Sequence, residues 1–213
     1  QVVSGTSIIG TDIGWAGNAA IANTAAAVGA FAWTSPTSAD SALLENLAVG
    51  PYTAEVSGSS GDTGVALAEV YDATPSGSYT PASPRLINIS ARANVGSAPN
   101  VLIAGFVIGG STSRTVLIRA SGPALLGFSV PNTLADPELQ LFSGSTVVAS
   151  NTKWGGDAEI SMVANSVGAF PWASLTSADS ALLVTLPPGA YTAEVSGATG
   201  DSGVALVEVY EVP

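Results

Sequence analysis

Between Tyr52 and Ser57 the side chains alternate. Tyr52, Ala54 and Val56 share one face; Thr53, Glu55 and Ser57 share the other. A period of two predicts a half-buried strand. After a turn, Gly58-Ser-Ser-Gly-Asp-Thr-Gly64, the alternation resumes with Val65, Leu67, Glu69 and Tyr71 on one face and Ala66, Ala68 and Val70 on the other. Both faces are apolar apart from Glu69, which predicts a central strand. A carboxylate on such a strand needs a partner, because a lone buried charge is expensive.

The pattern occurs twice. Tyr191-Thr-Ala-Glu-Val-Ser196 and Val204-Ala-Leu-Val-Glu-Val-Tyr210 repeat it at a constant offset of 139 residues, and 40 of the 74 aligned pairs from Gln1/Gln140 to Thr74/Pro213 are identical. Both copies are therefore expected to share a fold. The period is that of a domain, longer than the 20–50 residues of solenoid repeats. Gln1 aligns with Gln140, which lies inside the strand-like run Leu139-Gln-Leu-Phe142, so the chain reads as opening in the middle of a unit. The expected order is a half unit (1–73, the first B part), a Pro/Ser/Thr linker (74–85) and a complete unit (86–213). The complete unit consists of an A segment (86–135) and the second B part (136–213).

Each B part opens on a hairpin, Val2-Val3 with Ser7-Ile-Ile9 and Leu141-Phe142 with Val147-Val148. Asn18 and Asp157 then stand as N-caps before Ala-rich segments with apolar residues at Ile21, Ala25 and Val28, or Ile160, Ala164 and Val167. Gly29 and Gly168 sit where such a helix would stop. One short helix is predicted in each B part. The A segment supplies three apolar runs, Leu86–Ser90, Val101–Ile108 and Thr115–Ile118. The expected fold is all-β: two jelly-roll-like β-sandwich units from an internal duplication, each with one short helix.

Charge adds a second organising feature. Only 10% of residues are charged, with a net charge of −11, against about 25% charged in ordinary domains. Residues 1–73 carry seven acids and no base. Residues 74–135 carry Arg85, Arg92, Arg114 and Arg119 and no acid. Residues 136–213 carry nine acids and Lys153. The A segment is thus the electrostatic complement of both B parts, either within one molecule or between molecules. Arg114 and Arg119, at the ends of one predicted strand, are the expected partners of Glu69 or Glu208, and these four are the candidate interface residues.

The inventory argues against catalysis. There is no histidine or cysteine, so a zinc-type site and a disulfide are out of reach and a nucleophile–base pair could be built only from Ser and Lys153, which lies in a turn-like segment; a carboxylate pair for glycoside hydrolysis depends on spacing in space, which the sequence does not give. The acidic balance argues against nucleic acid and anionic membranes. The uncharged runs at 13–39 and 93–113 are broken by Asn, Pro, Ser and Gly, which argues against a membrane helix. The start at Gln1, without Met or a basic leader, reads as a mature, processed chain. Calcium is the one metal that oxygen ligands alone could hold, with Asp136, Asp157 and Asp179 as candidates, although no calcium-loop spacing is present. No cofactor is otherwise expected.

The runs Arg85-Leu-Ile-Asn-Ile-Ser90, Val101–Gly110, Thr115–Pro123, Ala135–Leu139, Trp154-Gly-Gly156 and Gly189–Gly197 together resemble a repeat of large secreted bacterial surface proteins. The B part also resembles pre-peptidase C-terminal-type β-sandwich modules, through its Asp-x-x-Leu-x-Leu-Phe and Gly-x-Tyr-Thr-x-x-Val strands. These resemblances imply an extracellular, non-enzymatic protein and bring no catalytic residue. The expected function is a structural one: a subunit of a bacterial surface fibre, filament or adhesin, joined to copies of itself head to tail, with strand complementation as one means. The alternative is a carbohydrate- or calcium-binding accessory module, which needs Trp15, Trp33, Trp154 and Trp172 exposed on a face.

Overall fold

The structure, a computed structural model, describes every residue except Pro81 and Ala98, and describes Ser76 by its backbone alone. Pro81, in the expected linker, and Ala98, in the A segment, lie outside the described residues. The chain divides into two compact units, Gln1–Leu86 and Ile87–Pro213.

The second unit is a two-layered antiparallel sandwich. Its strands are, in the numbering of the whole chain, β4 (Asn88–Val95), β5 (Leu102–Ile108), β6 (Arg114–Ser121), β7 (Pro137–Ser143), β8 (Thr146–Asn151), β9 (Ser180–Leu186), β10 (Gly189–Gly197) and β11 (Gly203–Val212), with helix α2 (Ala158–Ser166) between β8 and β9. One sheet runs β5-β10-β7-β8 and the other β4-β11-β6-β9. Inward-facing residues of both sheets make the main core, including Leu139 and Leu141 of β7, Ala193 and Val195 of β10, Ile118 of β6 and Val207 of β11. Seven of its sixteen buried residues (Val95, Leu102, Ile108, Val116, Ile118, Ala120 and Leu134) come from the A segment. Nearly half of the core is therefore supplied by residues ahead of β7. On the outer face of the second sheet, Leu117 and Tyr210 pack under α2 with Ile160, Val163 and Ala164. The side chain of Asp157 accepts from the Glu159 and Ile160 amides to start α2, as an N-cap should.

The order of the second sheet determines which strands depend on which. Strands β11 and β9 come from the B part, β4 and β6 from the A segment, and the two kinds alternate. Among the described residues, the strands that β11 pairs with are β4 and β6, with a further single bridge from Val204 to Thr133, and the strand that β9 pairs with is β6. The B part cannot build this sheet from its own strands. In the first sheet, by contrast, β7, β8 and β10 pair among themselves, and only β5 is borrowed.

The first unit follows from this dependence. It contains β1 (Val2–Ser4), β2 (Ser7–Gly10), helix α1 (Ala19–Val28) and β3 (Thr53–Ala54), with sheet order β2-β1-β3. Val2 opposes Gly10 and Ala54, and Val3 opposes Ile8 and Thr53. The equivalent residues in the second unit, Leu141 and Phe142, oppose Ala149 and Ala193, and Val147 and Thr192. Register and bulge are thus the same in both copies. Helix α1 also keeps its ends, with the Asn18 side chain accepting from Ala20 and Ile21 amides and Gly29 closing it at a φ of 78°, where glycine is free of Cβ strain.

What the first unit lacks is the second sheet. Among the described residues, no strand forms over 41–47 or 64–73, the counterparts of β9 and β11. The sequence predicted a central strand at Val65–Tyr71 and a full strand at Tyr52–Ser57; of these, Thr53–Ala54 forms a strand, and Glu55 adds backbone hydrogen bonds with Gln1 at 2.8 and 2.9 Å. The physical reason is the missing neighbour: an extended segment without a ladder partner gains nothing for its ordering cost. Val56 is 63% exposed where Val195 is fully buried, Val70 is 49% exposed against 6% for Val209, and Val65 is 98% exposed. The expected extended linker includes a 3-10 turn at Ser76–Ser78, and the Tyr79 hydroxyl donates to Asp72 at 3.0 Å.

Candidate functional site: an arginine seat and its uncovered counterpart

The register of β11 against β6 places Glu208 directly opposite Arg119, on the face away from the main core. Both side chains are buried, with residue exposures of 4% and 1%. Arg119 Nε lies 3.6 Å from Glu208 Oε2. The Tyr210 hydroxyl donates to Glu208 Oε1 at 2.6 Å. Two rings from the loop after α2 enclose the guanidinium: its carbon lies 4.5 Å from the Phe170 centroid and 4.4 Å from that of Trp172. This geometry suits cation–π attraction in a desolvated site. The Trp172 indole in turn donates to Ser121 Oγ at 2.9 Å and meets Trp154 edge to face at 5.3 Å.

Burial pushes the Arg119 guanidinium below its ordinary value, opposed by Glu208, Tyr210 and Asp179. Burial likewise raises the Glu208 carboxyl, opposed by Arg119 and by the Tyr210 hydrogen bond. Tyr210 is pushed well above the usual phenol range, first by burial and then by its bond to Glu208. The pair is held by its surroundings against the cost of desolvation. Arg119 and Glu208, expected at an interface, are thus opposed inside the second unit. Arg114, at the exposed start of β6, lies 3.9 Å from Glu211.

Three further contacts tie the B part to the A segment. Asp179 is fully buried and accepts from the Gly122 and Ala124 amides at 2.8 and 3.2 Å, pinning the turn after β6. The loop Asn132–Leu134 docks on the start of β11: the Val204 amide donates to the Asn132 carbonyl at 2.7 Å and the Leu134 amide to the Val204 carbonyl at 2.9 Å. Gly203 permits this approach, since a Cβ there would meet Leu134 N at 2.6 Å. Asp201 Oδ2 accepts from the Ala135 amide at 3.3 Å.

The first unit retains the B side of all of these. Tyr71 donates to Glu69 Oε1 at 2.9 Å, which raises the Tyr71 phenol. Trp15 and Trp33 meet edge to face at 5.3 Å, as their counterparts do. Glu69, however, is exposed, where the sequence expected it on a buried strand. Among the described residues no arginine pairs with it.

The calcium candidates do not gather. Asp157 caps α2, Asp179 anchors the 122–124 turn, and Asp136 shares Thr199 with Asp201, whose hydrogen bond raises Asp136 and lowers Asp201. Among the described residues, no group of three or more acids forms a metal cage. The four tryptophans needed for a sugar platform are partly or fully buried, in two edge-to-face pairs. Two shallow clefts recur at equivalent places, about 590 Å³ between α1 and Ala42–Glu45 and about 440 Å³ between α2 and Ala181–Leu183. The polar side chains that line them are Asp12, Asn18 and Glu45 in the first and Thr115, Asp157, Glu159 and Thr185 in the second. The sequence could not show the ring enclosure of Arg119 or the role of Asp179; the shared Ala-Asp-Ser-Ala-Leu-Leu run was their only trace. No helix among the described residues is long and apolar enough to cross a membrane.

No protein-family profile matches the chain, and no curated protein matches it significantly. Among solved structures, it is similar to the pre-peptidase C-terminal domain of collagenase from Bacillus anthracis, at 9% sequence identity and a TM-score of 0.36, over 58% of this chain and 89% of that one.

Proposed function

We propose that this protein is a non-enzymatic extracellular structural protein, a component of a bacterial surface fibre, filament or adhesin that joins its neighbours head to tail by strand addition. The observation that supports this reading is the uncovered face of the first unit. Its strands pair in the register of the second unit, while Val65, Leu67 and Val70, the counterparts of residues in β11, are exposed and lie in no strand. Exposed, unpaired strands recruit other chains through main-chain hydrogen bonds. A contact between unlike surfaces that does not close on itself gives fibres.

Light scattering with negative-stain microscopy across a concentration series tests the reading. Associated species growing with concentration are expected. A strictly monomeric chain at the highest soluble concentration overturns it.

A further inference from the structure

We infer that the Arg85–Leu86 bond is a proteolytic modification site: the bond at which a peptidase with an acidic primary pocket, one that takes Arg or Lys, separates the two units of the native chain. The inference stands apart from the strand-addition reading and does not need it.

A peptidase must hold several residues around the bond in an extended form. Bonds already in irregular, exposed backbone are therefore nicked first, and a bond inside a ladder is reached only when the ladder opens. The chain offers five bonds to a pocket of this kind, after Arg85, Arg92, Arg114, Arg119 and Lys153. Their surroundings differ.

Residues 84–87 lie in no helix, strand or turn, and all four are exposed. Pro84 has no N–H to give to a ladder. The division between the two compact units falls between Leu86 and Ile87. Ile87 is tied by the Glu211 amide, which donates to its carbonyl at 3.1 Å. That bond sits at the end of β4, where local opening costs least.

The other four bonds are held. Arg92 lies inside β4, opposite Leu206 in the ladder with β11. Arg114 opens β6, opposite Leu186 of β9 and 3.9 Å from Glu211. Arg119 is 1% exposed, beneath Phe170 and Trp172. Lys153 is exposed, but the residue after it is not. The Trp154 ring is buried, its amide donates to the Asp179 carbonyl at 2.9 Å, and its indole donates to Ser177 Oγ at 3.1 Å. Cutting after Lys153 means lifting that tryptophan out.

Composition selects the class of peptidase. Residues 1–84 hold no Lys or Arg, so a pocket that needs a positive charge leaves the first unit whole however it is covered. The cut also leaves the second unit whole. Every buried residue of the main sandwich core lies beyond residue 86, and its two sheets take no strand from the first unit. The step is a hydrolysis. Water adds OH to the Arg85 carbonyl carbon and a proton to the Leu86 nitrogen, and the C–N bond between them breaks. An acid in the pocket pairs with the Arg85 guanidinium to place the bond.

Dilute trypsin acting on the native full chain tests the inference, with the time course followed by gel and intact mass. The first products should be 1–85 and 86–213, formed roughly tenfold or more faster than any cut after the other four residues. The piece 86–213 should persist and keep the melting transition of the second unit. Arg85→Gln should leave the chain intact over the time in which wild type is converted, and Arg85→Lys should restore the cut. A first cut after Arg92, Arg114 or Lys153 overturns the inference. So does loss of the intact Arg85→Gln chain at the wild-type rate, which would show another bond equally open. Cleavage after Arg85 that needs urea enough to unfold the second unit overturns it too, because the site would then open with the sandwich. Loss of 86–213 as fast as it forms overturns the separation into two whole units.

Discussion

Replacing Arg119 by Met should destabilise the second unit by about 3–5 kcal/mol, the usual cost of breaking a buried ion pair from one side. The structure supports a value in that range. At 3.6 Å the attraction between unit charges is about 4–5 kcal/mol at an effective dielectric constant near 20. Methionine fills much of the space between Phe170 and Trp172 but carries no charge, so Glu208 is left buried with only the Tyr210 hydroxyl. For a unit of this size, 1 kcal/mol corresponds to roughly 3–5 °C, so melting should fall by roughly 10–20 °C on that scale. The loss should depend on pH with a definite sign. Glu208 already has a folded-state pKa above its unfolded value, so its protonation favours the fold. Its contribution is full below the unfolded pKa and is lost as pH rises through the folded one. Removing Arg119 takes away a cause that lowers Glu208, so the penalty should be largest at neutral pH and shrink on acidification. Urea melts of wild type and variant from pH 7 to pH 4 measure this directly. A change below about 1 kcal/mol at pH 7, or a penalty that grows on acidification, refutes the reasoning.

Replacing Arg119 and Glu208 together by methionines should cost less than Arg119→Met alone, since no orphaned charge remains; a double-mutant cycle on urea melts decides. Glu69→Gln should change stability by less than about 0.5 kcal/mol in the chain alone, because an exposed site carries no such burden; the same melts show it. Gly203→Ala should cost roughly 1–3 kcal/mol through its clash with the Thr133–Leu134 backbone. Gly64→Ala should be neutral or stabilising by up to about 1 kcal/mol, since nothing opposes the methyl group. Asp157→Ala should cost about 1 kcal/mol by removing the cap of α2, visible as reduced helicity in circular dichroism and a lower melting point.

Local features were legible in the sequence because they depend on near neighbours. Asn18 and Asp157 cap their helices where the Ala-rich segments begin, and the hairpins at Val2 and Leu141 form where short apolar runs flank a Ser-Gly turn. The central position of β11 followed from its two apolar faces, and the need of Glu208 for an arginine followed from its burial. The fate of the first copy was not legible. Val65–Tyr71 has almost the sequence of Val204–Tyr210, and sequence alone assigns both the same strand. Their difference lies more than 80 residues away from β11, in β4 and β6, so no local pattern reports it. In the sequence Asp179 reads both as a calcium candidate and as the pin of a turn before the strand; its partners are the backbone amides of Gly122 and Ala124 in a turn distant in sequence, which carry no residue-type signal. The ring enclosure of Arg119 was hidden because Phe170 and Trp172 lie on a loop without periodicity.

The central claim is that one sequence is a strand in the second unit, where β4 and β6 flank it, and an unpaired segment in the first, where no strand among the described residues does so. Native-state amide exchange of the dilute chain tests it most directly, since protection reports the free energy of opening each hydrogen bond. The amides of 204–210 should be among the slowest in the molecule and those of 65–71 close to unprotected. Comparable protection of the two stretches in a dilute, monomeric chain would contradict the account.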